Sequence, residues 1–177
     1  MEKQIEISRE KNEQGGQFEL LKPNQLRDII YQDKNWPVDN RFFSTEEGGV
    51  FRFFSPRVFT RRDLNEYKFP VIKEDSLIVA LGVLEKSPYN ENIIWVKSVA
   101  VDKKFRGKGY GKKIVDGIFQ YAQDNNFILQ LSSFTDERKH KESNSRIKYI
   151  TQEIMRKYPQ VKVLDTYGKK LNLKNGN

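Results

Sequence analysis

Three glycines on alternate positions, Gly107, Gly109 and Gly111, are the residues of this sequence best suited to bind a ligand. They follow an apolar, β-branched run from 93 to 101 and precede an amphipathic helical pattern. A glycine backbone permits positive φ angles and leaves no Cβ atom between the chain and an anion. A helix that begins at such a turn presents unpaired amides and the positive end of its dipole. The spacing therefore predicts a phosphate-binding loop between a strand and a helix.

Positive charge is concentrated around these glycines. Six of the eleven residues from 103 to 113 are basic, and none is acidic: Lys103, Lys104, Arg106, Lys108, Lys112 and Lys113. The whole chain has a formal net charge of +8, which is compatible with nucleic acid, a membrane surface or a phosphorylated ligand as partner. Because the charge lies beside the glycines, a phosphorylated ligand is favoured.

Two well-known glycine motifs do not fit this loop. The dinucleotide-binding fingerprint needs Gly-x-Gly-x-x-Gly, whereas the third glycine here, Gly111, follows Gly109 after one residue. A Walker A loop needs four residues between its glycines and a Lys-Ser or Lys-Thr pair. Three residues separate Gly107 from Gly111, and Lys112 is followed by another lysine.

The composition limits the remaining chemistry. The 177 residues are enough for one domain, and no window approaches the 18 apolar residues of a membrane span. There is no cysteine, and His140 is the single histidine. A thiolate nucleophile, a cysteine zinc site and a histidine-rich metal cluster are therefore excluded, and no metal site is predicted. The N-terminal residues lack the apolar region of a secretory signal, so we expect a cytoplasmic protein with no membrane partner.

Hydrophobic periodicity predicts an α/β fold. Strands are expected over 70–72, 77–84, 93–101, 127–134 and 161–164, and helices over 23–33, after the glycine loop to about 125, and from 147 to 158. We also expect a short helix that begins at Thr60 and includes Leu64 and Tyr67, and an edge strand at Ile5 and Ile7. Leu171 and Leu173 are expected to add a short hairpin partner. The segments 1–17 and 168–177 are expected to be mobile.

The sequence Arg106-x-x-Gly109-x-Gly111, directly after Val99-x-Val101, resembles the pyrophosphate-binding motif of the GNAT superfamily of N-acetyltransferases. The resemblance extends over residues 69–166 and is strongest from Val99 to Val115. It implies one GNAT-like domain over 1–177, with a mixed, mostly antiparallel sheet and helices on both faces. It also implies a central pair of parallel strands, 93–101 and 127–134, that splay apart.

The resemblance further implies that acetyl-CoA is the cosubstrate. Its pantetheine arm would contact the backbone of the first splayed strand, and its pyrophosphate would contact the amides of the glycine loop. The residues that match these roles are Val99, Ala100, Val101, Arg106, Gly107, Lys108, Gly109, Tyr110, Gly111 and Lys112, with Asn144 on a later helix.

The family transfers an acetyl group by direct attack of an amine on the thioester, through a tetrahedral intermediate. Its usual acid is a tyrosine on the helix after the second splayed strand, and Tyr149 matches that position loosely. Some members carry a glutamate base on the first splayed strand, where this sequence has Trp95. Glu85 and Glu91 are the nearest acids in the sequence, and we interpret both as solvated turn residues.

Two other functions remain open. The chain could bind CoA on a GNAT fold without catalysis, because no base is identified. It could also bind nucleic acid, since aromatic and basic residues alternate at Phe51-Arg52-Phe53 and near Arg61. No nucleic-acid motif is found, so this second alternative is disfavoured. The acceptor amine is not predicted, and the family's frequent pairing makes a homodimer one expected assembly.

Overall fold

A six-stranded mixed sheet organises the protein in a computed structural model, which describes residues 16–32, 65–131 and 141–171. Its elements are β1 (Gln17–Leu21), α1 (Pro23–Gln32), β2 (Tyr67–Glu74), β3 (Leu77–Lys86), β4 (Ile93–Val101), α2 (Tyr110–Asp124), β5 (Ile128–Leu131), α3 (Lys141–Lys157) and β6 (Val163–Leu164). The strands lie side by side in sequence order. β1 to β4 pair antiparallel, whereas β4, β5 and β6 are parallel. The predicted mixed α/β sheet is confirmed.

Apolar side chains cover both faces of the sheet. On the α2–α3 face, Ile114 and Phe119 of α2 and Ile154 of α3 pack against strand residues such as Val79 and Val96. On the opposite face, which we call the α1 face, buried Leu26 of α1 belongs to a second cluster. That cluster contains Leu21, Tyr67, Phe69, Val71, Ile78, Leu81 and Val83. Helices therefore lie on both faces, as predicted. None of the described helices is long and apolar enough to cross a membrane.

A β-bulge interrupts the pairing of β3 with β4. Val83 lies opposite Ser98 and the next residue, Leu84, lies opposite Val96, so Lys97 is an extra residue of β4. Directly opposed residues share a face of the sheet. Ser98 therefore lies on the α1 face with Val83, and the bulge brings Lys97 to that same face, where it contacts Glu85.

The parallel pairing of β4 with β5 is described from Ile93 and Ile128 to Val96 and Leu131. The predicted splay of these two strands depends on residues 132–134, which lie outside the described residues. Phe127, expected in β5, instead belongs to the turn after α2, where its amide donates to the carbonyl of Ala122 at 2.8 Å. The helix end itself is as predicted.

Strand β1 is absent from the sequence prediction, because its five residues, QFELL, are too few to show a clear alternation of polar and apolar residues. Only the last of them is buried. The strand forms through pairing with β2, from Gln17 opposite Lys73 to Leu21 opposite Phe69. Tyr67 was expected in a helix and instead begins β2. Its buried ring stacks on Phe69, 6.4 Å away, so tertiary packing outweighs the local pattern.

Leu171 donates its amide to the carbonyl of Val163 at 2.9 Å, which confirms the expected strand partner at Leu171, whereas Leu173 lies outside the described residues. The expected edge strand at Ile5 and Ile7 and the beginning of the short helix at Thr60 lie outside the described residues. The same holds for the aromatic and basic segment from 51 to 62.

Candidate functional site

The site begins where β4 leaves the sheet. Asp102, only 1% exposed, donates its amide to the carbonyl of Val79 at 2.9 Å. Its Oδ1 accepts from the amide of Lys104 at 3.0 Å, which caps a short 3₁₀ turn at Lys103–Phe105. The half-buried residues before it, Val99, Ala100 and Val101, pair with β3 on one side. A buried cap therefore fixes the direction in which the chain enters the glycine loop.

The loop uses positive φ angles at two of its three glycines. Gly107 has a φ of 83° and Gly109 a φ of 82°, and a Cβ built on either would meet no atom within 4 Å. Gly111 does not have a positive φ, because it already lies in the first turn of α2. Its Cβ would make an ordinary contact with Val101 Cγ2 at 3.7 Å. The first two glycines therefore use the positive φ that glycine permits, and the third does not.

The helix that follows has an open N-terminus. Gly109 is its N-cap and has no side chain with which to cap it. The first intrahelical bond runs from the amide of Lys113 to the carbonyl of Gly109, at 3.0 Å. The amides of Tyr110, Gly111 and Lys112 therefore have no acceptor within the helix, and the dipole adds partial positive charge around them. This geometry suits an anion such as a pyrophosphate.

The buried side chain of Tyr110 fixes the N-terminus of α2 against β2. Its side chain is 5% exposed, its hydroxyl donates to Glu74, and its ring meets Phe105 edge-on at 6.2 Å. The hydrogen bond to the Glu74 carboxylate, reinforced by burial and by the negative charge, raises the pKa of Tyr110 to about 12. Only the backbone of this predicted binding residue can therefore face a ligand at the helix N-terminus.

The basic side chains of the loop are exposed but partly engaged. Arg106 Nε donates to the carbonyl of Val101 at 3.2 Å, and Lys108 Nζ lies 4.9 Å from the centre of the Phe105 ring. Lys112 forms an ion pair with Glu153 of α3. Each of these three cations is therefore held by a contact within the protein, and the loop residues Arg106 and Lys108 add full positive charge to the partial charge of the helix N-terminus.

The predicted acid, Tyr149, lies on α3 and is 68% exposed. It precedes half-buried Ile150 and lies off the buried stripe of Thr151 and Ile154, as its sequence position suggests. The side chain of Asn144, which was expected to face the cosubstrate, lies outside the described residues. The structure therefore does not bring these two predicted residues together with the glycine loop by any described contact.

The interpretation of Glu85 as a solvated turn residue is wrong. Glu85 belongs to β3, its side chain is 19% exposed, and it accepts a hydrogen bond from Tyr67 Oη at 2.7 Å. Glu91 does lie in the turn, with a side chain that is 81% exposed. Extending the predicted strand 77–84 by one residue would have placed Glu85 in β3. Its contacts with Tyr67 and Lys97 depend on how the strands pair, which the sequence does not show.

A family model described as the Acetyltransferase (GNAT) family matches residues 29–141, which is more than half of the chain. The chain therefore belongs to the GNAT family of acetyltransferases. No curated protein sequence matches it.

Solved structures share the fold. A candidate GNAT acetyltransferase from Desulfovibrio desulfuricans superposes with a TM-score of 0.52 at 13% identity, over 76% of this chain and 82% of the other. A possible acetyltransferase from Clostridium difficile 630 gives 0.50 at 19% identity, over 77% and 90%. The ribosomal-protein-S18-alanine N-acetyltransferase of Escherichia coli gives 0.46 at 10% identity, over 74% of each chain. At these identities the first two likenesses concern the fold alone.

Proposed function

We propose that this protein is an N-acetyltransferase that moves the acetyl group of acetyl-CoA to an amine. The observation that carries the proposal is the glycine loop at the N-terminus of α2. Gly107 and Gly109 leave open space where any other residue would place a Cβ atom. The free amides of Tyr110, Gly111 and Lys112 lie directly beyond. Together with membership of the GNAT family, this cradle supports binding of the CoA pyrophosphate.

Acetyl-CoA supplies an activated acetyl thioester. In the proposed function, the loop amides and Arg106 bind the pyrophosphate, and the backbone from Val99 to Val101 orients the pantetheine arm along β4. Tyr149 gives its phenolic proton to the departing sulfur, so that a thiol leaves instead of a thiolate. These roles, a cytoplasmic location and pairing into a homodimer remain predictions.

Calorimetric titration with acetyl-CoA tests the proposal, followed by a panel of primary amines with detection of released thiol. Because the chain contains no cysteine, every thiol that is detected comes from CoA. We expect saturable binding and amine-dependent thiol release. Binding with no release for any amine would favour a non-catalytic CoA-binding protein. Absence of acetyl-CoA binding would overturn the proposal.

A further inference from the structure

Polar and aromatic residues form a row across four adjacent strands on the α1 face. Tyr67 of β2 lies opposite Glu85 of β3, Glu85 lies opposite Trp95 of β4, and Trp95 lies opposite Gln130 of β5. Directly opposed residues on a sheet point to the same side, so the four side chains lie in one line perpendicular to the strands. We call these residues, together with Lys97, the polar row.

Hydrogen bonds and a cation–π contact link the polar row. Tyr67 Oη donates to Glu85 Oε1 at 2.7 Å, and Lys97 Nζ lies 3.0 Å from Glu85 Oε2. The same ammonium lies 4.9 Å from the centre of the Trp95 ring. Trp95 Nε1 in turn donates to Gln130 Oε1 at 2.9 Å. The carboxylate of Glu85 is thus held in place from both neighbouring strands.

A buried hydroxyl without a partner lies beside the polar row. Ser98, next to the bulged residue Lys97, is 8% exposed and its Oγ has no hydrogen-bond partner. It is the only buried polar side-chain atom in this condition among the described residues. A buried hydroxyl that makes no hydrogen bond loses stabilising energy, and a ligand group that pairs with it would recover that energy.

The polar row lies along the path proposed for the cosubstrate. The pyrophosphate cradle is beyond the end of β4, and the proposed contacts of the pantetheine arm run backwards from Val101 to Val99. The next residues along that path are Ser98 and Lys97, about 10 Å and about 13 Å from Val101 at the rise of an extended strand. An arm that follows β4 therefore carries the thioester toward the bulge and the carboxylate of Glu85.

We propose that the polar row is the acceptor site and that Glu85 binds a primary ammonium group and takes its proton. This inference rests on the proposed N-acetyltransferase function. A carboxylate has about four lone-pair sites, and Tyr67 and Lys97 occupy one on each oxygen of Glu85, which leaves capacity for a further donor. The register of β3 and β4 places Glu85 directly opposite Trp95.

The reaction balances with the acceptor arriving as an ammonium ion. One N–H bond breaks and its proton moves to Glu85, which frees the nitrogen lone pair to form a C–N bond with the thioester carbonyl carbon. The C–S bond then breaks and its electron pair leaves with sulfur. A second proton from nitrogen is passed to sulfur through the acid, and Glu85 releases its proton to water. The products are an amide, the CoA thiol and one proton.

Replacing Glu85 with glutamine separates this role from a structural one, because glutamine keeps an oxygen that accepts from Tyr67. For alkylamines from the panel, which arrive protonated, we expect Glu85→Gln to lower kcat by about 100-fold or more. For aniline, which arrives neutral, we expect little change in kcat. Glu91→Gln changes an exposed turn carboxylate and is expected to alter neither rate.

A binding measurement tests the same site without turnover. The chain has two tryptophans, so Trp36→Phe leaves Trp95 as the single reporter of the polar row. With CoA present, benzylammonium is expected to change the fluorescence of this variant in a saturable way. Adding Glu85→Gln is expected to abolish that change, whereas adding Glu91→Gln preserves it.

The inference and the proposed function fail in different ways. If acetyl-CoA does not bind in the calorimeter, the proposed function is overturned and the inference fails with it. Suppose instead that the wild type binds acetyl-CoA and acetylates amines. If Glu85→Gln then lowers kcat for alkylamines and for aniline by the same factor, or lowers kcat for neither, only the inference is overturned. The inference is also overturned if the protein binds acetyl-CoA but acetylates no amine and no amine changes the Trp95 fluorescence in a saturable way.

Discussion

The hydroxyl of Tyr110 donates a hydrogen bond to the carboxylate of Glu74, which joins the first residue of α2 to the last residue of β2. The glycine loop lies between the end of β4 and this anchored helix. Asp102 fixes the chain before the loop, and Tyr110 fixes the chain after it. The open amides are therefore preorganised by contacts within the protein, and an anion does not need to order them.

Removing this hydroxyl with Tyr110→Phe is expected to lower the free energy of unfolding by about 1–3 kcal/mol, because Glu74 loses a donor. The effect depends on pH. The folded-state pKa of Tyr110 is raised from 10.0 to about 12, so its stabilising contribution is complete below pH 10 and is lost as the pH rises toward 12. Denaturant unfolding of both proteins across that range measures the difference.

Tyr167→Phe is the matched control, since Tyr167 is 78% exposed and its described hydrogen bond uses the backbone amide. It is expected to leave stability unchanged at every pH. A gap between Tyr110→Phe and the wild type that stays constant from pH 10 to 12 would contradict the role assigned to Glu74.

Gly109→Val is expected to abolish acetyl-CoA binding. Valine is strained at a φ of 82°, and its side chain would enter the space in front of the helix amides. Gly168→Val provides a control for strain alone, because Gly168 has a φ of 77° in a turn near the end of the chain. Both variants should lose about 1–3 kcal/mol of stability, but only Gly109→Val should show no saturable heat in the calorimeter. If Gly109→Val binds acetyl-CoA as tightly as Gly168→Val does, the glycine loop is not part of the cosubstrate site.

The glycine loop and most of the strands could be predicted from the sequence, because each depends on residues that are close together in the chain. Gly107 and Gly109 are needed for their own φ angles, and the run from 93 to 101 is apolar enough to identify a central strand without its neighbours. Asn126, at a φ of 56°, likewise ends α2 where the sequence predicts.

The features that could not be predicted depend on pairing across the sheet. The position of Glu85 beside Lys97 follows from a bulge in β4, and a one-residue bulge leaves no recognisable mark in the sequence. The packing of β1 against α2 is equally non-local. Residues Phe18 and Gly117 are 99 positions apart, and neither alone indicates the contact.

Gly117→Ala is expected to destabilise the protein. The new methyl group would overlap the ring of Phe18, and the cost of overpacking, about 1–3 kcal/mol, exceeds the roughly 1 kcal/mol gained in helix propensity. Phe18→Leu combined with Gly117→Ala should recover part of the loss, so that the two changes are not additive in thermal or denaturant unfolding. Strict additivity would mean that β1 does not pack on α2 through this pair.

Tyr149→Phe tests the proposed acid separately from cosubstrate binding. The hydroxyl lies on an exposed side chain of α3 that contributes little to the core, so folding should be unaffected. We expect kcat to fall by about 100-fold, because the sulfur must then leave without a positioned proton donor, while the Kd for acetyl-CoA in the calorimeter stays the same. Tyr89→Phe alters a tyrosine that is 89% exposed in the turn before β4 and should leave both values unchanged. An undiminished kcat for Tyr149→Phe would exclude this tyrosine from proton transfer, and a weakened Kd with unchanged kcat would instead make it a cosubstrate contact.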